Sequence, residues 1–357
     1  MNDYYSYKNI DKTNAIYRVI VGQRSNGKTY GFCEKVLTEF FKSNRPSAYI
    51  RRWAEDIKAR NIEQLFSPHT EKIKKLSKNK YNSFVFRSGS WYLCSRDDNG
   101  DVKYKDNNFF CKTFALNNWE HSKGADSGNF KFICFDEFIS RRGYLSNEFT
   151  HFQNLLSSII RQKDDCIIYM IANTVSKECL YFKEMRIDVN KIKQGEIFVY
   201  KNGDENAFIS IEYCETAENL KKKIVKYYDF ENSVTGKMIT DGVWEIPDYP
   251  HLFFDFTERD VILSAFIEYG YDLNVKVLTT PYDEITLFIY PATKKTDKKT
   301  DVLVYTETPI RPLERKNIYS TDNKAFSLIT KLIKENRLTF SDNDTGDKFF
   351  NFIAERG

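Results

Sequence analysis

Eight residues, Gly22-Gln-Arg-Ser-Asn-Gly27-Lys28-Thr29, match the pattern GxxxxGK[ST] without a mismatch, and they constrain the fold more than any other stretch. The pattern works where a buried strand turns into a helix. Its glycines let backbone N–H groups curl around phosphate, and the helix N-terminus adds partial positive charge. The flanks supply that setting. Ala15-Ile-Tyr-Arg-Val-Ile-Val21 is a short apolar run rich in β-branched residues, as in a buried parallel strand. From Lys28 onward Phe32, Cys33, Val36, Leu37, Phe40 and Phe41 recur at helical steps, until Pro46 stops the helix. In such a loop Lys28 meets the β- and γ-phosphates and Thr29 ligates Mg²⁺. Gly22, Gln23, Arg24, Ser25, Asn26 and Gly27 line the cradle, so ATP and Mg²⁺ are the expected ligands.

The second half of such a site is an acidic pair ending another buried strand. Asp136-Glu137 directly follow Phe130-Lys-Phe-Ile-Cys-Phe135. There Asp136 is expected to hold Mg²⁺ and Glu137 to act as general base toward water; plain solubilising charge at a strand end is the alternative. A carboxylate base next to the metal acid points to an α/β P-loop NTPase of the additional-strand, catalytic-glutamate class. A helix is expected over 147–161, then a strand at Cys166–Ala172 ending in Asn173-Thr174, where Asn173 could sense the γ-phosphate. Arg161 closes that helix. It suits either an arginine finger for a neighbouring subunit or a surface residue offsetting the helix dipole. Arg141 and Arg142 are weaker choices for the finger.

Ser47–Trp53 reads as the next strand, giving a βαβ unit with its two parallel strands side by side. Residues 55–80 read as helix ending in the lysine-rich EKIKKLSKNK, and 83–116 as an antiparallel insert around DDNGD. Arg51 and Arg52 end their strand near the expected nucleotide edge, where a surface salt bridge is the alternative. Beyond Ala217 a charged segment suits a helical connection. The texture then changes to alternating strands, with a last helix over 324–336. The expected domains are 1–212, a linker at 213–243, and a smaller α+β domain at 244–357.

At 357 residues the chain is long for one core and suggests about two domains. With 54 basic and 50 acidic side chains its net charge is +4, too small to name a partner. Seven scattered cysteines read as reduced, buried thiols, and four separated histidines offer no zinc spacing. No apolar run is long enough for a membrane span, and the start MNDYYSYKNIDK lacks an apolar leader, so a cytosolic protein is expected.

GQRSNGKT, AYIRRW, Ser122-Lys123-Gly124, FICFDEF and IIYMIANTVS together resemble the terminase-type DNA-packaging ATPases of tailed bacteriophages. The layout is most similar to the encapsidation proteins of small podoviruses. The likeness covers about residues 15–180 well and the rest only in layout. It implies an ATP-driven motor that moves double-stranded viral DNA into a preformed capsid. Such a motor is a homo-oligomeric ring, a pentamer, docked on the portal protein, with a packaging RNA as a further candidate partner. It works in the host cytoplasm, transiently on the procapsid, with no membrane involved. Arg161 becomes the trans finger and Lys123 a basic lid residue, each against a plain surface role, and Asn173 the coupling position against a plain strand-end turn. The tail implies an RNase H-like domain. Its strand FIEYGYDLNVKV lacks a clean carboxylate for nuclease metals and Asp283-Glu284 sit in a turn, so a silent domain that binds DNA, portal or RNA is expected. Its basic cluster, Lys294, Lys295, Lys298 and Lys299, is diluted by Asp297 and Asp301. DNA contacts should go to backbone phosphates, from EKIKKLSKNK and first-domain arginines. The rivals are a complete terminase that also cuts DNA, a P-loop switch protein and a small-molecule kinase.

Overall fold

The computed structural model describes residues 4–122, 129–140, 144–161, 164–177, 179–202, 206–215, 244, 249–269, 272–292 and 302–356. Lys123, Arg141, Arg142, most of the expected linker and the cluster Lys294, Lys295, Lys298 and Lys299 lie outside the described residues. The chain divides into two compact units. One is Met1–Ser140 with Asn147–Glu245, the other Arg141–Ser146 with Ile246–Gly357.

Among the described residues of the first unit, nine strands form one sheet: β1 (Tyr17–Gly22), β2 (Ser47–Arg51), β3 (Ser83–Arg87), β4 (Ser90–Arg96), β5 (Val102–Ala115), β6 (Phe132–Asp136), β7 (Ile167–Asn173), β8 (Ile197–Asn202) and β9 (Asn206–Cys214). Their order is β3-β4-β5-β2-β6-β7-β1-β9-β8. From β5 to β9 every neighbouring pair is parallel, and the antiparallel pairs lie at the two ends. The central strands are buried nearly end to end, as parallel strands covered on both faces must be.

Short helical turns α1 (Lys8–Asp11), α3 (Ala59–Ile62), α4 (Thr70–Leu76) and α6 (Leu180–Glu184) accompany two longer helices, α2 (Lys28–Ser43) and α5 (Glu148–Ile160). α2 buries Phe32, Cys33, Val36, Leu37 and Phe40, the expected stripe, and ends where Asn44 takes a left-handed φ of 56°. α5 carries Phe152, Leu155, Leu156 and Ile159 into the core.

Two expectations are corrected. β1 and β2 are parallel but not side by side, because β6 and β7 lie between them. Local pattern shows that a buried strand exists, whereas its neighbours are chosen by the more apolar strands that arrive later in the chain. Residues 55–80 are not one helix either. They break into 3₁₀ turns at Ala54–Ile57 and Glu63–His69 around α3 and α4, with Pro68 removing a backbone donor inside the second turn. The insert at β3–β5 forms as expected. All seven cysteines are buried thiols.

The second unit holds β10 (Val261–Glu268), β11 (Asp272–Thr279), β12 (Ile285–Pro291), β13 (Leu303–Thr306), β14 (Glu314–Arg315) and β15 (Leu338–Phe340) in the order β14-β13-β10-β11-β12-β15. β10–β12 are an antiparallel meander, and β13 then β14 add in parallel beyond β10. The helix expected over 324–336 is α7 (Lys324–Lys334), but it is not the last: α8 (Asn343–Arg356) follows. Phe326, Ile329, Leu332, Phe349 and Phe352 from these helices share a core with Ile267, Val275 and Ile289 of the sheet. Among the described residues no helix is long and apolar enough to cross a membrane.

Candidate nucleotide site

The loop between β1 and α2 is shaped by its neighbours as much as by its own glycines. Gly22 pairs in register with Asn173 of β7 on one side and Cys214 of β9 on the other. A Cβ on Gly22 would stand 2.2 Å from Cys214 Sγ, so no other residue fits without displacing the thiol. Gly27 takes φ +88°, the left-handed region where glycine carries no steric cost, and starts α2. Ser25 is also left-handed, at φ 61°. Buried Asn26 donates its amide to Cys214 Sγ at 2.9 Å and accepts from the Lys28 backbone N–H at 3.3 Å.

Lys28 is buried, and its ammonium lies among carbonyl oxygens. It donates to Gly22 O at 3.0 Å, Gln23 O at 2.7 Å, Asn26 Oδ1 at 3.1 Å and Asn173 Oδ1 at 3.4 Å. Burial lowers its pKa, opposed by the Cys214 and Asp136 side chains. Thr29 donates its hydroxyl to Asp136 Oδ2 at 2.9 Å, which brings the loop and the acidic strand end into one site. Thus Lys28, Thr29, Asp136 and Asn173, assigned from separate parts of the sequence, converge. Arg24 is exposed on the loop, and Gln23 is buried beneath it.

The adjacent carboxylates differ. Asp136 is buried and also accepts from Tyr49 Oη at 2.6 Å and from the Glu137 backbone N–H at 3.0 Å. Burial, and then the Asp136 charge, raise the Tyr49 phenol well above its usual range, so it stays a donor. Glu137 leaves the strand at φ 59°, its backbone N–H held by Ile171 O at 2.8 Å, and its side chain is exposed. Its carboxylate pairs with Arg51 at 2.6 Å. Arg52 makes a buried pair with Glu148 and donates to Glu137 O and Phe138 O, so it braces the backbone of the acidic strand end, and the alternative surface salt bridge does not form. Among the described residues no group of three or more His, Cys, Asp or Glu is arranged to hold a metal ion.

Arg161 does not join this cluster. A helix connecting two adjacent parallel strands must run back along them, so α5 returns from the Glu137 end of β6 to the start of β7. Arg161 therefore lies at the opposite end of the sheet from Lys28, exposed, with φ 49°. It cannot serve the site of its own chain.

Several supports escaped the sequence reading. Tyr49 carries a signal, since it stands two residues before Arg51 and so shares its strand face. Cys214 and Glu212 belong to β9, a strand not expected there. The N-terminal segment straps the loop: the Tyr5 backbone N–H donates to Asn26 O at 2.8 Å, Tyr7 Oη to Lys28 O at 2.7 Å, and Tyr5 Oη to Glu212 Oε2 at 2.6 Å. No local pattern announces such contacts.

Comparison with known proteins gives the chain its relatives. Residues 1–225 match the family described as Podovirus DNA encapsidation protein (Gp16). The DNA packaging protein of Bacillus phage B103 is 24% identical over 186 residues, 49% of this chain and 50% of that protein. The DNA packaging protein of Bacillus phage phi29 is 23% identical over 193 residues, 53% of this chain and 52% of that one. The chain thus spans about half the length of the curated relatives it matches. Among solved structures, the Phi-28 gp11 DNA packaging motor superposes with a TM-score of 0.59 at 17% identity, over 99% of this chain and 98% of that one. The bacteriophage Phi-29 viral genome packaging motor assembly gives 0.57 at 17% identity, over 98% and 99%. These likenesses establish a shared fold across both units, and the match over residues 1–225 places the chain in the podovirus DNA encapsidation protein (Gp16) family.

Proposed function

We propose that this chain is the ATP-hydrolysing subunit of a motor that drives double-stranded viral DNA into a preformed capsid. In this reading it forms a homo-oligomeric ring, a pentamer, on the portal, and hydrolysis is completed between subunits. Family membership and the packaging proteins it resembles support the task. The observation that carries the chemistry is the Thr29–Asp136 contact at 2.9 Å, which joins the phosphate loop to the acidic strand end. One strand, β7, stands between β1 and β6, which supports the additional-strand class.

The residues suit their expected ligands. Thr29 Oγ1 and Asp136 Oδ2 are hard oxygen donors of the kind Mg²⁺ takes together with water and substrate phosphates. When bound, Mg²⁺ offsets negative charge on the phosphates. Lys28 has its ammonium among loop carbonyls, from where it can turn to phosphate, and Asn173 reports on the same ammonium. Glu137 accepts the proton of the attacking water as general base. Arg161, at the far end of its own sheet, acts on a neighbour's nucleotide, and Lys123 serves as a basic lid residue. The second unit is read as a nuclease-like domain that binds rather than cuts. Its meander with two parallel strands added beyond β10 supports an RNase H-like sheet. Metal-dependent nicking of a plasmid by the full chain would overturn the silent assignment.

Glu137→Gln should bind ATP as the parent does while turnover falls by about 10²–10⁴-fold. Hydrolysis at the parent rate would refute the base assignment. Arg161→Ala should be inactive alone and partly rescued by mixing with Glu137→Gln, whose finger is intact. Absence of complementation counts against action in trans.

A further inference from the structure

The antiparallel end of the first sheet presents a cationic face remote from the nucleotide site. Directly opposed residues on paired strands share a face, so β3, β4 and β5 define three rungs. These are Arg87-Ser90-Lys112, Val85-Tyr92-Phe109 and Ser83-Cys94-Lys105. Arg96 joins the last rung by donating to Ser83 Oγ at 3.3 Å. The other face of the same strands sends Phe84, Trp91 and Leu93 into the core. The rungs therefore hold Arg87, Arg96, Lys105 and Lys112 and no carboxylate. Arg87 is exposed, and Arg96, Lys105, Lys112, Tyr92 and Phe109 are half-buried.

The lysines are held in place by aromatic rings. Lys105 Nζ stands 3.9 Å over the Tyr92 ring and Lys112 Nζ 5.9 Å from the Phe109 ring, contacts that restrain an ammonium without neutralising it. From Ser83 to Lys112 the strands and their turns carry five Lys and Arg against four Asp and Glu; four of those cations and none of the acids stand on the rungs. Lys105 and Lys112 are seven residues apart on one strand. Their partners Ser90 and Cys94 on β4 are four residues apart, because β5 bulges between them, so the lysines stand roughly 13 Å apart at ~3.3 Å per residue, or about four steps of ~3.4 Å along one DNA strand.

We propose that this face binds the phosphate backbone of double-stranded DNA, as a contact separate from the nucleotide site. The identity of the duplex rests on the packaging reading above. Charge selects a polyanion, and the arrangement selects a regular one: cations in rows on a sheet meet phosphates in rows. Tyr92 and Phe109 spend their faces on the lysines and on each other, which leaves no platform for the unstacked bases of a single strand. Arg87 on β3 is four strand positions from β6, about 19 Å at ~4.8 Å per strand, and β5 is two positions from β6, about 10 Å, with Lys112 level with Ile133, three residues short of Asp136. The three side chains therefore stay clear of the nucleotide site and can be changed with ATP hydrolysis retained.

The test is the full-length triple variant Arg87→Gln/Lys105→Gln/Lys112→Gln, titrated with a fluorescent DNA duplex over a series of salt concentrations. Basal ATP hydrolysis and thermal unfolding are followed alongside. The plot of log affinity against log salt should become shallower by about 3, since each phosphate that a cation no longer neutralises removes about 0.9 from the slope, with hydrolysis unchanged. If the triple variant unfolds, the exposed Arg87→Glu alone should flatten the slope by about 1. A parent that binds duplex and a variant that keeps its slope overturn this assignment and leave the packaging reading intact. A parent that hydrolyses ATP but binds no duplex at any salt overturns both. A loss of binding confined to an RNA duplex or to an acidic protein overturns DNA as the occupant.

Discussion

Arg51 and Arg52 leave the same strand end and finish on two different glutamates. Arg52 is buried. Its Nε donates to both carboxylate oxygens of Glu148 at 3.0 and 2.8 Å, and its other nitrogens to Glu137 O at 3.1 Å and Phe138 O at 2.6 Å. Glu148 is fully buried and also accepts from Tyr181 Oη at 2.8 Å. Arg51 reaches Glu137, whose side chain is 56% exposed, and lies 3.4 Å from Asp56. The residue type is the same and the sequence separation is one. Burial decides that the first pair fixes the backbone behind the acidic strand end, while the second is a contact that water can replace.

The largest effect should follow from breaking the buried pair. Arg52→Ala leaves Glu148 as an uncompensated buried charge and should cost about 3–5 kcal/mol of stability, read from urea unfolding. The double variant Arg52→Met/Glu148→Leu should recover most of that loss, since apolar groups of similar volume often replace a buried pair at little cost. A single variant as stable as the parent would mean that Glu148 finds other partners and that the two arginines do not differ in kind.

This contrast shows where the sequence is legible. The phosphate loop, the stripe of α2 and the strand before Asp136 are local patterns, and each folds as its pattern requires. Arg52 could not be separated from Arg51, because Glu148 stands 96 positions away and only the packed helix α5 brings it there. The same reason hid Cys214 beneath Gly22, across 193 positions from the carbonyl of Val21 to which its thiol donates. Strand order failed similarly: nothing in β1 or β2 says that β6 and β7 will slip between them.

Burial also sets a titration, which gives the next largest effect. His69 is 2% exposed, its ring 4.2 Å from that of Tyr30, and burial lowers its pKa to about 4. The fold therefore holds it neutral. Below pH ~6.5 the unfolded chain takes up a proton that the folded chain refuses, so stability is lost as pH falls and the loss is complete near pH 4. The shift corresponds to about 3 kcal/mol. His69→Phe should flatten the fall in melting temperature between these limits. An equally steep fall in the variant would assign the acid sensitivity to other groups.

The smallest effect should come from the exposed pair, and it is the sharper test of what Glu137 does. A surface ion pair is worth about 0.2–1 kcal/mol, so Arg51→Ala should leave unfolding nearly unchanged. Releasing Glu137 from Arg51 frees the carboxylate to face water. Basal ATP turnover should then rise by about one and a half to fivefold, the kinetic equivalent of that energy, with KM unaltered. Arg51→Lys, which keeps a charge but loses the planar fork, should fall between parent and Arg51→Ala. If turnover instead drops a hundredfold or so, more than a surface pair can account for, Arg51 belongs with Lys28 among the groups that meet phosphate. The two neighbouring arginines would then differ in chemistry as well as in burial.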